Sequence, residues 1–234
     1  MPVTDPADLL AAYDEQLRTE AETPSAISVS ASGPLRLVTF SGGRGFITYR
    51  DLGDLDEAGI RRLVPSALAH FRADPQISRV EWKTRGHDRA PGLHDALCDN
   101  GFAPGEPESI MIGDAGLLDV EVPLPEGVTV RTVSDENDVR AMSAMQDEVF
   151  GDPVTPAHAD QLLARLARGD GMSLWVAEVD GQVVSAGRLE PVPGTDFAGI
   201  WGGATRPAWR GRGIYRALTA ALQADTEHVA YVID

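Results

Sequence analysis

The stretch from Phe197 to Leu218 commits its part of the chain to a strand that turns directly into a helix. Phe197–Ala204 reads as a strand, Thr205-Arg206-Pro207 interrupts it, and Gly213–Ala224 has the apolar spacing of a helix. Such a unit needs a following strand to close its layer, and His228–Ile233 supplies one. Upstream, Val128–Val133 is a predicted strand and Glu136–Phe150 a helix with Ser134 as its expected cap. Pro156–Arg168 is a second helix, and Ser173–Val179 and Gln182–Leu189 are strands joined at Asp180-Gly181, a tight-hairpin dipeptide. The order is strand, two helices, three strands, helix, strand. That implies an α/β (α+β) layer on a mixed sheet, because the hairpin is antiparallel and the helical crossover suits parallel neighbours.

A boundary is expected in Val120–Glu126, where Pro123 and Pro125 forbid a helix and favour an extended linker. It divides the chain into residues 1–122 and 127–234. In the first part Asp5–Thr19 is a helix capped by Asp5, and Leu35–Phe40 and Gly45–Arg50 are strands around Ser41-Gly42-Gly43-Arg44. Leu55–Phe71 is an amphipathic helix, Arg79–Lys83 a strand, Ala90–Asn100 a short helix stopped by Gly101, and Ser109–Ile112 a last strand.

Of the 234 residues 36 are acidic and 20 basic, for a net charge of −16. A field of that sign repels nucleic acid and anionic membranes, suits a cationic amine, and also simply keeps a protein in solution. No apolar run reaches the roughly 20 residues of a membrane span, and the acidic start lacks the pattern of a secretory leader, so a cytoplasmic location is expected. The single cysteine, Cys98, rules out an internal disulfide framework and is expected to be a small buried hydrophobe on its helix. His158 and His228 have no partner at metal-ligand spacing and His87-Asp88 is a turn pair, so no metal is expected.

The chemistry concentrates in Thr205-Arg206-Pro207-Ala208-Trp209-Arg210-Gly211-Arg212-Gly213-Ile214-Tyr215-Arg216. A helix N-terminus offers unpaired backbone N–H groups and about half a positive charge, and both attract phosphate. Gly211 and Gly213 remove the side chains that would block a close approach, while Arg210, Arg212 and Arg216 add charge. An NTP-binding P-loop is absent, and no Gly-x-Gly-x-x-Gly follows the first strand of a βαβ unit.

On these residues the chain resembles the GNAT superfamily of acyl-CoA-dependent N-acyltransferases. The hallmark Arg/Gln-x-x-Gly-x-Gly/Ala matches Arg210-Gly211-Arg212-Gly213-Ile214 and departs at Tyr215, which stands in the last small position. The resemblance implies acetyl-CoA as co-substrate, its pyrophosphate on the amides of Arg210, Gly211, Arg212, Gly213, Ile214 and Tyr215, and its pantetheine arm along Gly203, Ala204 and Thr205. It implies a small-molecule or peptide amine as acceptor and leaves a homo-oligomer open. The first half resembles a degenerate copy: Val80-Glu81-Trp82-Lys83-Thr84, Ala90–Asn100 and Gly101-Phe102 echo the family's closing elements, yet acidic Asp51-Leu52-Gly53-Asp54 stands where the phosphate turn would be. The expected fold is therefore two GNAT-like mixed-sheet halves, the second cut short after its fifth strand, with a further segment or subunit as the other way to fill that place.

Acetyl transfer to an amine needs a base, an oxyanion donor and a proton for the departing sulfur. Where relatives often place a glutamate, this chain has Gly199. Glu190 is the substitute candidate and Asp196 a second, each with the plainer alternative of a solvated loop carboxylate. A backbone N–H of Ala204 or Thr205 could meet the oxyanion. Trp201 and Trp175 could line an acceptor pocket or simply fill the core. The missing glutamate and the early stop keep a non-catalytic acyl-CoA-binding or scaffold protein as the alternative function.

Overall fold

The computed structural model describes residues 5–224 and 230–233, which form two compact units. One comprises Ala11–Pro107; the other comprises the described residues of 1–10 and 108–234. His228 lies outside the described residues.

The chain opens with α1 (Pro6–Gln16), whose first turn is capped by the Asp5 carboxylate accepting from the Ala7 N–H at 2.8 Å. The Ala11–Pro107 unit then lays down β1 (Ser28–Ser32), β2 (Leu35–Phe40), β3 (Arg44–Tyr49), α2 (Glu57–Arg72), β4 (Arg79–Trp82) and α3 (Leu93–Asp99). Its sheet runs β1-β2-β3-β4, antiparallel until β4 returns parallel to β3 after the α2 crossover. Ile60, Val64, Ala67, Leu68 and Phe71 form one stripe of α2 and pack on Leu35, Leu37, Ile47 and Tyr49 of the sheet. Ser-Val-Ser-Ala-Ser in β1 gives no strand signal in the sequence, because this edge strand is exposed along most of its length.

A polar cluster ties the same unit together. Arg18, only 3% exposed, donates through Nη1 and Nη2 to the two oxygens of Asp88 at 2.7 and 3.0 Å, and also to Asp14 and the Tyr49 carbonyl. Asp88 therefore neutralises a buried guanidinium, and the turn pair His87-Asp88 is structural. Cys98 corrects its expectation: α3 buries Leu93, Ala96 and Leu97, and the next position turns outward, leaving the thiol exposed with His94 one helical turn back.

The second unit contains β5 (Met111–Asp114), β6 (Thr129–Val133), α4 (Glu136–Phe150), α5 (Pro156–Leu166), β7 (Ser173–Val179), β8 (Gln182–Pro191), β9 (Phe197–Thr205), α6 (Ile214–Ala224) and β10 (Ala230–Ile233). The sheet order is β5-β10-β9-β8-β7-β6, with β9 and β10 parallel and the other neighbours antiparallel. One core lies between the sheet and α4 and α5, and another between the sheet and α6. Asp135, not Ser134, caps α4: its carboxylate accepts from the N–H groups of Asn137 and Asp138, both at 3.1 Å.

The mixed α/β fold agrees with the sequence expectation, and one strand changes its details. The sequence assigns a strand at 109–112 to the first half, ahead of a boundary near 122. In the structure that strand is β5, which pairs antiparallel with β10, and the units divide between Pro107 and Glu108. The second sheet therefore has six strands rather than five, because a segment from before the linker takes the place beside β10.

Candidate functional site

The strand β9 sets the site. β10 pairs with its first four residues only, Phe197–Ile200, so among the described residues the β10 side of Trp201–Thr205 has no strand neighbour. On its other side the pairing with β8 slips: Ala186 opposes Ala204 while Arg188 opposes Trp201, which inserts an extra residue at Gly202-Gly203. Past this bulge Ser185, fully buried, donates to the Ala204 carbonyl at 2.9 Å and meets the Thr205 hydroxyl at 2.8 Å, fixing the strand's end.

A short 3-10 turn, Pro207–Trp209, then leads into Arg210–Gly213 and α6. Gly211 and Gly213 have φ of 73° and 78°, a left-handed conformation that a side chain resists. The first intrahelical bond runs from the Ala217 N–H to the Gly213 carbonyl, so the N–H groups of Ile214, Tyr215 and Arg216 have no partner within the helix. Arg210 donates through Nε to the Thr205 carbonyl at 2.9 Å, and Arg212 lies over the Trp209 ring at 4.8 Å. Arg206 points elsewhere, bonding the Val183 carbonyl and Glu148. Among the described residues neither Arg210, Arg212 nor Arg216 is paired with a carboxylate.

These elements enclose a cavity of about 420 Å³. Gly203, Ala204 and Thr205 form its strand wall; Arg210, Gly211, Gly213, Ile214, Tyr215 and Arg216 form the turn and helix wall; Val149 and Phe150 come from the end of α4. The expected cofactor residues thus line one space, except Arg212, whose side chain stacks beside it. Tyr215, the departure from the hallmark, lies with its phenol against the Gly203 Cα, where any Cβ would overlap its hydroxyl. Burial pushes this phenol above its ordinary pKa and keeps it protonated at neutral pH.

The four remaining candidates scatter. Trp201 lies on the face of the sheet covered by α4 and α5, and its indole sits directly over Gly199, filling the volume in which a side chain at 199 would stand. Trp175 opposes Gly187 and packs on the other face, in the α6 core, its Nε1 donating to Ser173 at 3.0 Å. Strand alternation therefore keeps the two tryptophans from lining one pocket. Asp196 is exposed in the β8–β9 turn, at the opposite end of β9 from Thr205 and roughly 25 Å away along the strand. Glu190 sits across from Gly199 on the Trp201 face. One of its oxygens accepts from Arg188 Nε at 2.6 Å and the other from Arg165 Nη1 at 2.7 Å.

Two contacts had no sequence signal. Gln146 of α4, fully buried, donates through Nε2 to the Gly202 carbonyl at 2.6 Å and so holds the bulge. His158 Nδ1 meets Asp147 at 3.0 Å, and the other Asp147 oxygen accepts from the Thr155 N–H at the start of α5. An i, i+11 pairing across a helix–helix corner follows no fixed period, and only the folded corner brings it together. Among the described residues no cluster of His, Cys, Asp and Glu is arranged to hold a metal ion, and no helix is long and apolar enough to cross a membrane.

Residues 139–231, all within the second unit, match the model of the acetyltransferase (GNAT) family. No curated protein matches the sequence. A GCN5-related N-acetyltransferase from Kribbella flavida superposes with a TM-score of 0.68 at 17% identity, covering 96% of this chain and 85% of its own. A GCN5-related N-acetyltransferase from Sphaerobacter thermophilus gives 0.63 at 19% identity, covering 99% and 84%. A conserved protein of unknown function from Staphylococcus epidermidis gives 0.60 at 12%, covering 94% and 85%. At these identities the likeness is one of fold, and it extends over both units.

Proposed function

We propose that this chain transfers an acetyl group from acetyl-CoA to an amine, with the cofactor held only by its second unit. The observation that carries this reading is the cavity bounded by the unpaired β9 edge and the N-terminus of α6. It offers free backbone N–H groups, two left-handed glycines and the arginines Arg210 and Arg216 to one anion. The pyrophosphate rests on the amides of Gly211 to Tyr215, and the pantetheine arm runs along Gly203–Thr205. The amine lone pair attacks the thioester carbonyl, a C–N bond forms, and the C–S bond breaks. The CoA thiolate leaves, and the proton lost from the amine balances it. A backbone N–H at Ala204 or Thr205 is the oxyanion donor in this scheme.

Glu190 takes a different part from the base expected of it. Both its oxygens are engaged by guanidinium groups, one from Arg188 and one from Arg165, which ties the carboxylate into an ion-pair network on the sheet. We assign it to holding Arg188 in place. Asp196, at the far end of β9, has no part in this scheme. The first unit is read as a copy without a cofactor turn: its own strand-helix-strand unit β3-α2-β4 places Asp56 at the helix N-terminus, where the carboxylate accepts from the Gly59 N–H at 2.7 Å. That helix end is already occupied by an anion of the protein.

A thiol-release assay on the full chain, with acetyl-CoA and a panel of primary amines, tests the reading. CoA release that depends on the amine is expected. Acetyl-CoA bound without turnover of any amine would instead favour the non-catalytic acyl-CoA-binding reading.

A further inference from the structure

We infer that Arg188 is the anchor for a carboxylate on the acceptor, so that the amine acetylated belongs to an amino-acid-like molecule. The inference rests on the acyl-transfer reading for what the site is used for, and on separate geometry for what it binds. Arg188 lies on the face of the sheet that carries Trp201, and its Nη1 packs 2.7 Å from where a Cβ on Gly202 would stand. Gly203, the next residue, is part of the cavity wall. Arg188 is thus one residue from the strand edge proposed to hold the thioester.

The guanidinium is oriented but not used up. Its Nε is fixed by Glu190, while Nη1 and Nη2 have no partner among the described residues and remain in contact with solvent, the side chain being 23% exposed. Arg165 engages Glu190 from the other side and also meets Asp170 at 3.5 Å, so the two arginines and two carboxylates balance, and what Arg188 offers a ligand is its free donors rather than a surplus charge. A guanidinium fixed at Nε, with its Nη1–Nη2 fork free, matches one carboxylate held by two parallel hydrogen bonds. Beside it the Trp201 indole, laid over Gly199, gives an apolar wall for the rest of the acceptor.

The short span from Arg188 to Gly203 limits the acceptor to a carboxylate only a few bonds from its amine. The test compares ligands that differ in that group alone. N-Acetylalanine and N-acetylalaninamide, product forms that bind without turnover, are titrated by NMR into the full chain and into Arg188→Leu and Arg188→Lys. The unaltered chain should bind the acid at least about 10-fold more tightly than the amide. Arg188→Leu should abolish that preference and Arg188→Lys retain part of it, with acetyl-CoA affinity and melting temperature unchanged in both. Equal binding of acid and amide, or a preference that survives Arg188→Leu, would overturn the inference. Acetyl-CoA titrated in parallel separates the two readings: its failure to bind would sink acyl transfer, while the acid-against-amide comparison still decides the Arg188 site.

Discussion

At the residue scale the site is shaped by two exchanges of bulk between neighbours. Gly203 has no side chain because the Tyr215 phenol occupies the space, and Gly199 has none because the Trp201 indole does. The first explains how a tyrosine stands where the hallmark has a small residue: its partner on the strand is small instead. The second explains why this chain lacks a glutamate at 199. A carboxylate there and the indole compete for one volume, so Gly199→Glu should destabilise the protein by about 1–3 kcal/mol through overpacking. Adding Trp201→Ala to the same chain should recover most of that loss. Thermal unfolding of the single and double variants measures both, and a single variant as stable as the parent would refute the packing account. The first exchange cannot be read from the sequence, since only the βα turn brings Gly203 and Tyr215 together; the second joins i, i+2 neighbours on one strand face, and only the fold shows the indole laid back over Gly199. The Arg210-Gly211-Arg212-Gly213 turn is different: its chemistry is local, and the sequence displays it in full.

At the scale of elements, patterning identifies most helices and strands of the second unit because each buries one face on the sheet. What it misses follows from exposure or from distance in the chain. β1 is polar and exposed, so no alternation marks it. The identity of β5 as a strand is visible, but its partner β10 is more than a hundred residues away, and only the pairing decides which sheet it joins. Glu190 is conspicuous as a carboxylate at a strand end, whereas the two arginines that engage it come from β8 itself and from α5. A comparable network clamps α4 to the sheet: Arg131 of β6 bonds Asp138 of α4 and Glu178 of β7. The Arg131 hydrogen bonds hold the Asp138 carboxyl below its ordinary pKa. Folding therefore favours the ionised form, and the contribution is complete above the usual carboxylate range and lost as pH falls through the lowered value. Melting temperature followed from pH 7 towards pH 3 should fall less steeply in Arg131→Leu than in the parent, although the variant starts lower. Parallel curves would show that the pair adds nothing to the acid limb.

At the scale of the whole molecule, each unit contains a parallel strand-helix-strand crossover, β3-α2-β4 in one and β9-α6-β10 in the other, and they differ at the helix N-terminus. In the first unit Asp56 fills it; in the second, glycines leave it open beside Arg210 and Arg216. The account therefore expects one acetyl-CoA per chain, bound at the second turn. Calorimetric titration of acetyl-CoA into the parent, Gly211→Asp and Gly211→Asn tests this most directly. A Cβ at 211 meets no atom within 4 Å, and Asp and Asn both tolerate a left-handed backbone, so the two variants differ chiefly in charge. The parent should bind with a stoichiometry of one, Asn with a modest loss, and Asp about 100-fold more weakly, equivalent to about 2.7 kcal/mol of repulsion between carboxylate and pyrophosphate. Equal affinities for Asp and Asn, or two sites per chain, would contradict it.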